Sequence, residues 1–158
     1  MSRISGTIEQ TYQIAEKLVR QIGKKDRQQA VVVALVGDLG AGKTTFAQGF
    51  ARALGIKEKI TSPTFIIMKK FQIPRNKLQT NSKFQIPKFK TLVHFDVYRL
   101  DKSEELLDLG WEKLVNDPQN IILVEWAEKI KKILPKNHIL VTFKHISENQ
   151  RTIEVRPQ

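Results

Sequence analysis

The sequence predicts a three-layer α/β fold, with a mainly parallel sheet, antiparallel edge strands and flanking helices. Three observations carry this expectation. Ala30-Val31-Val32-Val33-Ala34-Leu35-Val36 is an unbroken apolar, β-branched run, as a strand buried on both faces requires. It leads into Gly37-Asp38-Leu39-Gly40-Ala41-Gly42-Lys43-Thr44, which fits G-x-x-x-x-G-K-[ST] without a mismatch. Two later apolar runs each end in an acid, Thr91-Leu92-Val93-His94-Phe95-Asp96 and Asn120-Ile121-Ile122-Leu123-Val124-Glu125. Parallel strands of that kind deliver carboxylates to one sheet edge.

Taken in order, Thr7 and Gln10 stand in capping-box spacing, and Ile8, Tyr12, Ala15, Leu18, Val19 and Ile22 form the apolar stripe of a helix laid on the sheet. Gly23 and the polar run Lys24 to Gln29 end it ahead of the first buried strand. After the glycine-rich loop, Phe46, Ala47, Phe50, Ala51 and Leu54 recur at helical spacing from Thr44, with Gly55 as C-cap. Pro63 in Thr61-Ser62-Pro63-Thr64 fixes an extended segment before the β-rich Phe65-Ile66-Ile67-Met68. Asp101 to Glu105 reads as an acidic first helical turn, with Leu106, Leu107, Leu109, Trp111 and Leu114 as its core face. Ala127 to Leu134 reads as a short basic helix stopped by Pro135. Asn137 to Ile146 and Arg151 to Val155 then form a hairpin about Ser147-Glu148-Asn149-Gln150.

At 158 residues and 41% hydrophobic, the chain suits one domain over residues 1–158 with a real core. The absence of cysteine excludes disulfides and thiolate metal sites and fits a reducing, cytoplasmic setting. No apolar stretch reaches bilayer length, so no membrane role is expected. The net charge of +11 is unevenly spread. Seven of the eleven excess charges fall between Lys69 and Lys90, where no acid occurs. That basic insertion, at about 71–90, carries a repeat: Phe71-Gln72-Ile73-Pro74 returns as Phe84-Gln85-Ile86-Pro87. It reads as a basic hairpin or a partly ordered excursion, too short to build its own core. Three uses are open to it: contact with a nucleic acid through lysines and the interspersed Phe71, Phe84 and Phe89, contact with an acidic partner, or solvated surface.

The glycine-rich loop fits a nucleoside triphosphate, which makes the expected architecture a P-loop NTPase-type fold. Its glycines let successive N–H groups from Asp38, Leu39, Gly40, Ala41, Gly42, Lys43, Thr44 and Thr45 converge, and the following helix adds its positive dipole end. Lys43 supplies a cation for the β and γ phosphates, and Thr44 offers its hydroxyl to magnesium. Asp96 and Glu125, at the ends of their strands, are the candidate acids beside magnesium and the γ-phosphate. Two roles stay open to Glu125, an outer ligand of the metal or the base that orients water. His94 reads as a hydrogen-bonding strand histidine, Arg99 as half of an ion pair, and Trp126 as core or as a communicating residue. A GTPase is the reading the sequence favours least, because no Asn-Lys-x-Asp sequence occurs.

Together these motifs resemble the TsaE (YjeE-like) family, the bacterial ATPases of tRNA threonylcarbamoyladenosine synthesis. The matching residues are Gly37 to Phe46, Ser62-Pro63-Thr64-Phe65, His94-Phe95-Asp96-Val97-Tyr98-Arg99-Leu100, Glu104-Glu105-Leu106 and Leu123-Val124-Glu125-Trp126. The resemblance implies ATP and Mg2+ as ligands, with Lys43, Asp96 and Glu125 catalytic and Thr44, Glu125 and Asp96 at the metal. It also implies a switch-like loop at Ser62 to Phe65. Two partner proteins of a threonylcarbamoyl-transferase complex would carry out the transfer, and this chain would support their turnover. The family joins its Ser-Pro-Thr loop to the His-Phe-Asp strand by a shorter hairpin, so the basic insertion is a departure. Two other readings share the loop: a small-molecule kinase and a regulatory nucleotide-binding module.

Overall fold

The computed structural model describes residues 2–23, 27–61, 67–74 and 89–157. Ser62-Pro63-Thr64-Phe65 and most of the basic insertion lie outside them. Among the described residues seven strands form one sheet: β1 (Ser2–Ser5), β2 (Val31–Val36), β3 (Met68–Gln72), β4 (Thr91–Asp96), β5 (Asn120–Glu125), β6 (Ile139–His145) and β7 (Arg151–Pro157). Their order across the sheet is β1-β7-β6-β2-β5-β4-β3. The central four, β6, β2, β5 and β4, are parallel, while β3 and β7 run antiparallel to their neighbours. The expected α/β class, with a parallel centre and antiparallel strands outside it, is what the chain adopts.

Side chains alternate across this sheet with a period of two. Val31, Val33, Leu35, Leu92, Ile121, Leu123, Val141 and Phe143 face α1 (Ile8–Ile22) and α2 (Lys43–Ala53). Val32, Ala34, Val93, Phe95, Ile122 and Val124 face the other layer, with α3 (Glu105–Asp108), α4 (Trp111–Val115) and a 3-10 turn at Ala127–Ile130. Burial on both faces explains why β2 and β5 read as continuous apolar runs.

Thr7 caps α1 by accepting the Gln10 N–H at 3.2 Å. Gln10 Oε1 in turn accepts from Gly6 at 2.7 Å, one residue before the cap. The buried stripe is Thr11, Ile14, Ala15, Leu18, Val19 and Ile22. Ile8, expected on that stripe, is 64% exposed. α2 ends in the predicted glycine cap: Gly55 is left-handed at φ 81°, its N–H reaches Arg52 O, and Ile56 N–H reaches Ala51 O.

Three expectations are corrected, and one strand is not anticipated by the sequence. β1 carries no strand signal of its own, and antiparallel pairing with β7 creates it. The helix expected after Asp101 is two short ones, broken where Gly110 takes φ 81°. Leu106 and Trp111 are buried there, whereas Leu107 and Leu109 are exposed. The helix expected over Ala127 to Leu134 is a single 3-10 turn, Ala127–Ile130, entered through Trp126 in the left-handed region. Within the basic insertion, Phe71, Ile73 and Phe89 are core residues, and Ile73 N–H bonds Lys90 O at 2.8 Å. Phe71 and Phe89 are therefore closed to base stacking.

Candidate functional site

The glycine-rich loop 37–44 leaves the carboxyl end of β2 and enters α2 through Gly42 at φ 100°. Gly37, at φ 151°, lies against β6: a Cβ there would sit 2.6 Å from the carbonyl oxygen of Phe143. No side chain fits, so this glycine is fixed by both backbone angle and space. Asp38, Leu39 and Gly40 form the exposed tip, Ala41 is buried, and Thr45 lies in the first turn of α2 after Lys43 and Thr44.

Lys43 is 4% exposed. Its Nζ donates to the carbonyls of Gly37 at 2.6 Å and Asp38 at 2.8 Å, and lies 3.7 Å from the centre of the Trp126 ring. Burial holds its ammonium below the ordinary lysine value of 10.5, against the opposing pull of Glu125, Glu128, Asp96 and Asp38. Trp126 is the one non-glycine residue at positive φ among those described, and its ring packs against Tyr98, tilted by 50° with centroids 5.0 Å apart. Holding a tryptophan there costs on the order of 1–2 kcal/mol, offset by these ring contacts.

Parallel pairing of β4 with β5 places Asp96 and Glu125 directly opposite each other at the strand ends. Thr44 Oγ1 donates to Glu125 Oε2 at 2.9 Å, and His94 Nε2 meets Glu125 Oε1 at 3.0 Å. Glu125 and His94 are both buried, and His94 Nδ1 has no hydrogen-bond partner. Asp96 Oδ1 accepts the Tyr98 N–H at 3.0 Å and makes a further interaction. The structure thus ties Thr44 to Glu125 by a hydrogen bond, sets Asp96 opposite Glu125, and folds Lys43 back onto the loop carbonyls and Trp126. Tyr98, which would share a face with Asp96 in a continuing strand, instead turns out to 52% exposure after β4 ends.

The donors at this site are hydroxyl and carboxylate oxygens, the hard ligands magnesium takes. Because the Thr44 proton is engaged by Glu125, the lone pairs of its oxygen are free to face a cation. Among the described residues no cluster of three or more metal-ligating side chains occurs.

A family model described as threonylcarbamoyl adenosine biosynthesis protein TsaE matches residues 5–153. The chain belongs to the TsaE family. A protein named tRNA threonylcarbamoyladenosine biosynthesis protein TsaE from Bacillus subtilis is 38% identical over 122 residues, 77% of this chain and 66% of that protein. Its namesake in Haemophilus influenzae is 34% identical over 143 residues, 90% and 80% of the two chains. The Rickettsia felis namesake is 36% identical over 148 residues, 93% and 74%. The crystal structure of Bacillus subtilis YdiB matches with a TM-score of 0.68 at 30% identity, covering 97% of this chain and 82% of that one. TsaE proteins take part in tRNA threonylcarbamoyladenosine biosynthesis.

One residue beside the loop of this TsaE chain gave no sequence signal. Arg151, the first residue of β7, lies against Gly42: a Cβ there would sit 3.0 Å from Arg151 Nη1. A cavity of about 810 Å³ lies elsewhere, lined by Gln29, Trp111, Val115, Ile133 and Asn137. Those residues flank the starts of β2, β5 and β6, the sheet edge opposite Glu125. No described helix is long and apolar enough to cross a membrane.

Proposed function

We propose that this chain binds ATP with Mg2+ on a P-loop NTPase-type fold and hydrolyses it as the ATPase component of tRNA threonylcarbamoyladenosine synthesis. In that role it supports turnover of two partner proteins that carry out threonylcarbamoyl transfer. The observation that carries this reading is the Thr44–Glu125 hydrogen bond at the carboxyl edge of a parallel sheet, beside a glycine-rich helix entrance whose buried Lys43 is held on the loop carbonyls.

In this reading the amides of Asp38, Leu39, Gly40, Ala41, Gly42, Lys43, Thr44 and Thr45 cradle the phosphates. The Lys43 ammonium leaves the carbonyls of Gly37 and Asp38 for phosphate oxygens, a better acceptor for a buried cation. Thr44 and Asp96 are the residues that would hold the metal, and Glu125 stands behind Thr44. When bound, the metal neutralises the charge developing on the phosphates. Glu125 keeps both roles, orienting Thr44 and metal-bound water or accepting the proton of the attacking water. Its hydrogen bonds to Thr44 and His94 support the orienting role.

ATP hydrolysis measured with the chain alone, with the two partner proteins, and with partners plus tRNA tests the proposal. Turnover is expected to be weak alone and to rise with partners. Undiminished multiple-turnover modification when this chain is omitted would overturn it.

A further inference from the structure

The loop 37–44 has a second cation beside it. Arg151 opens β7 in the hairpin that follows β6, so it stands at the same sheet edge as the loop. Ile153, two residues on, packs in the core on the α1 and α2 face. Arg151 is on that face as well, which places its guanidinium over the start of α2. A Cβ at Gly42 would lie 3.0 Å from Nη1, 3.4 Å from Cδ and 3.9 Å from Cζ, so the end of the side chain lies against the loop at Gly42.

No acid or carbonyl among the described residues pairs with this guanidinium, and its Nε is buried without a hydrogen-bond partner. A guanidinium remains charged at any ordinary pH. A partly buried one with an unpaired donor is poised for an anion of planar or bidentate geometry.

Its side of the loop narrows the choice. Glu125 and Asp96 end β5 and β4, which lie on one flank of β2, whereas β6 and β7 lie on the other. If the metal and terminal phosphate sit by Glu125, as in the function proposed above on which this inference rests, the opposite flank receives the inner end of the polyphosphate. We propose that Arg151 binds the α-phosphate end of a nucleoside di- or triphosphate seated on the loop. It then acts equally on ADP and ATP.

Calorimetric titration of the full chain with ADP and with ATP, for wild type, Arg151→Gln and Arg151→Lys, tests this. Arg151→Gln is expected to raise Kd for both nucleotides by about tenfold and to the same extent. Arg151→Lys should lose several-fold as well, because an ammonium lacks the fork, and it serves as the readout if Arg151→Gln does not fold. Wild-type affinity for ADP in the folded variants overturns the inference while leaving nucleotide binding itself intact. A loss confined to ATP overturns the α-phosphate placement. A wild-type chain that binds neither nucleotide overturns both this inference and the proposed function.

Discussion

Thr44 Oγ1 donates to Glu125 Oε2 at 2.9 Å across 81 residues of sequence, tying the first turn of α2 to the end of β5. Because His94 occupies the other carboxylate oxygen, Glu125 is held between a helix and a neighbouring strand. Replacing Glu125 by alanine leaves both partners without an acceptor. ATP turnover is expected to fall to background, with nucleotide binding retained better than in Lys43→Ala. Thermal stability of Glu125→Ala should drop by about 1–3 kcal/mol from the stranded buried histidine. Wild-type turnover in Glu125→Ala would remove that residue from the mechanism.

Lys43 carries a pH signature. Burial lowers its folded value below 10.5, so between that lowered value and 10.5 the unfolded chain holds more protons than the folded one. Stability contributed through Lys43 therefore rises with pH across that window and is level below it. Urea midpoints of wild type and Lys43→Met, compared in a series of alkaline buffers, should show wild type gaining on the variant as pH rises. Parallel profiles would contradict it.

Trp126 should report on the loop. Its ring carries Lys43 on one side and Tyr98 on another, while the chain's other tryptophan, Trp111, is buried edge-on against Phe95. When a nucleotide draws Lys43 away, the fluorescence of Trp126 should change. Trp126→Phe is expected to abolish the ADP-induced emission change and Trp111→Phe to keep it.

Gly37→Ala tests the seat of the loop against β6. The added methyl would meet the Phe143 carbonyl oxygen at 2.6 Å, a backbone atom that cannot step aside. We expect a loss of about 2–4 kcal/mol in chemical denaturation. Gly40→Ala, where nothing lies within 4 Å, carries only the cost of its φ of 74° and should lose less.

The basic insertion calls for a narrower deletion than its charge pattern suggests. Removing 71–90 would excise the buried Phe71, Ile73 and Phe89. Bridging Pro74 to Phe89 instead removes only residues 75–88, including Arg75, Lys77, Lys83 and Lys88. That variant is expected to keep ADP affinity and to bind tRNA or the partner proteins more weakly, most clearly at low salt. Unchanged affinity for all of them would make the segment solvated surface.

The sequence by itself determined the layers and the loop. Buried parallel strands need continuous apolar runs, a helix on a sheet needs its stripe, and a backbone that curls as Gly37 to Gly42 do needs glycine, so each leaves a local pattern. The acids Asp96 and Glu125 were legible for the same reason, as the ends of such runs. Tertiary structure alone decided what those residues touch. Pairing with β7 made β1 a strand, a left-handed Gly110 split one expected helix into two, and core packing drew Phe71 and Phe89 out of a segment that charge had marked as surface. The register of β4 against β5 and the return of β7 to the loop brought Glu125 to Thr44 and Arg151 to Gly42. Contacts between residues so far apart arise from strand order and chain direction, which leave no periodicity to read in the chain.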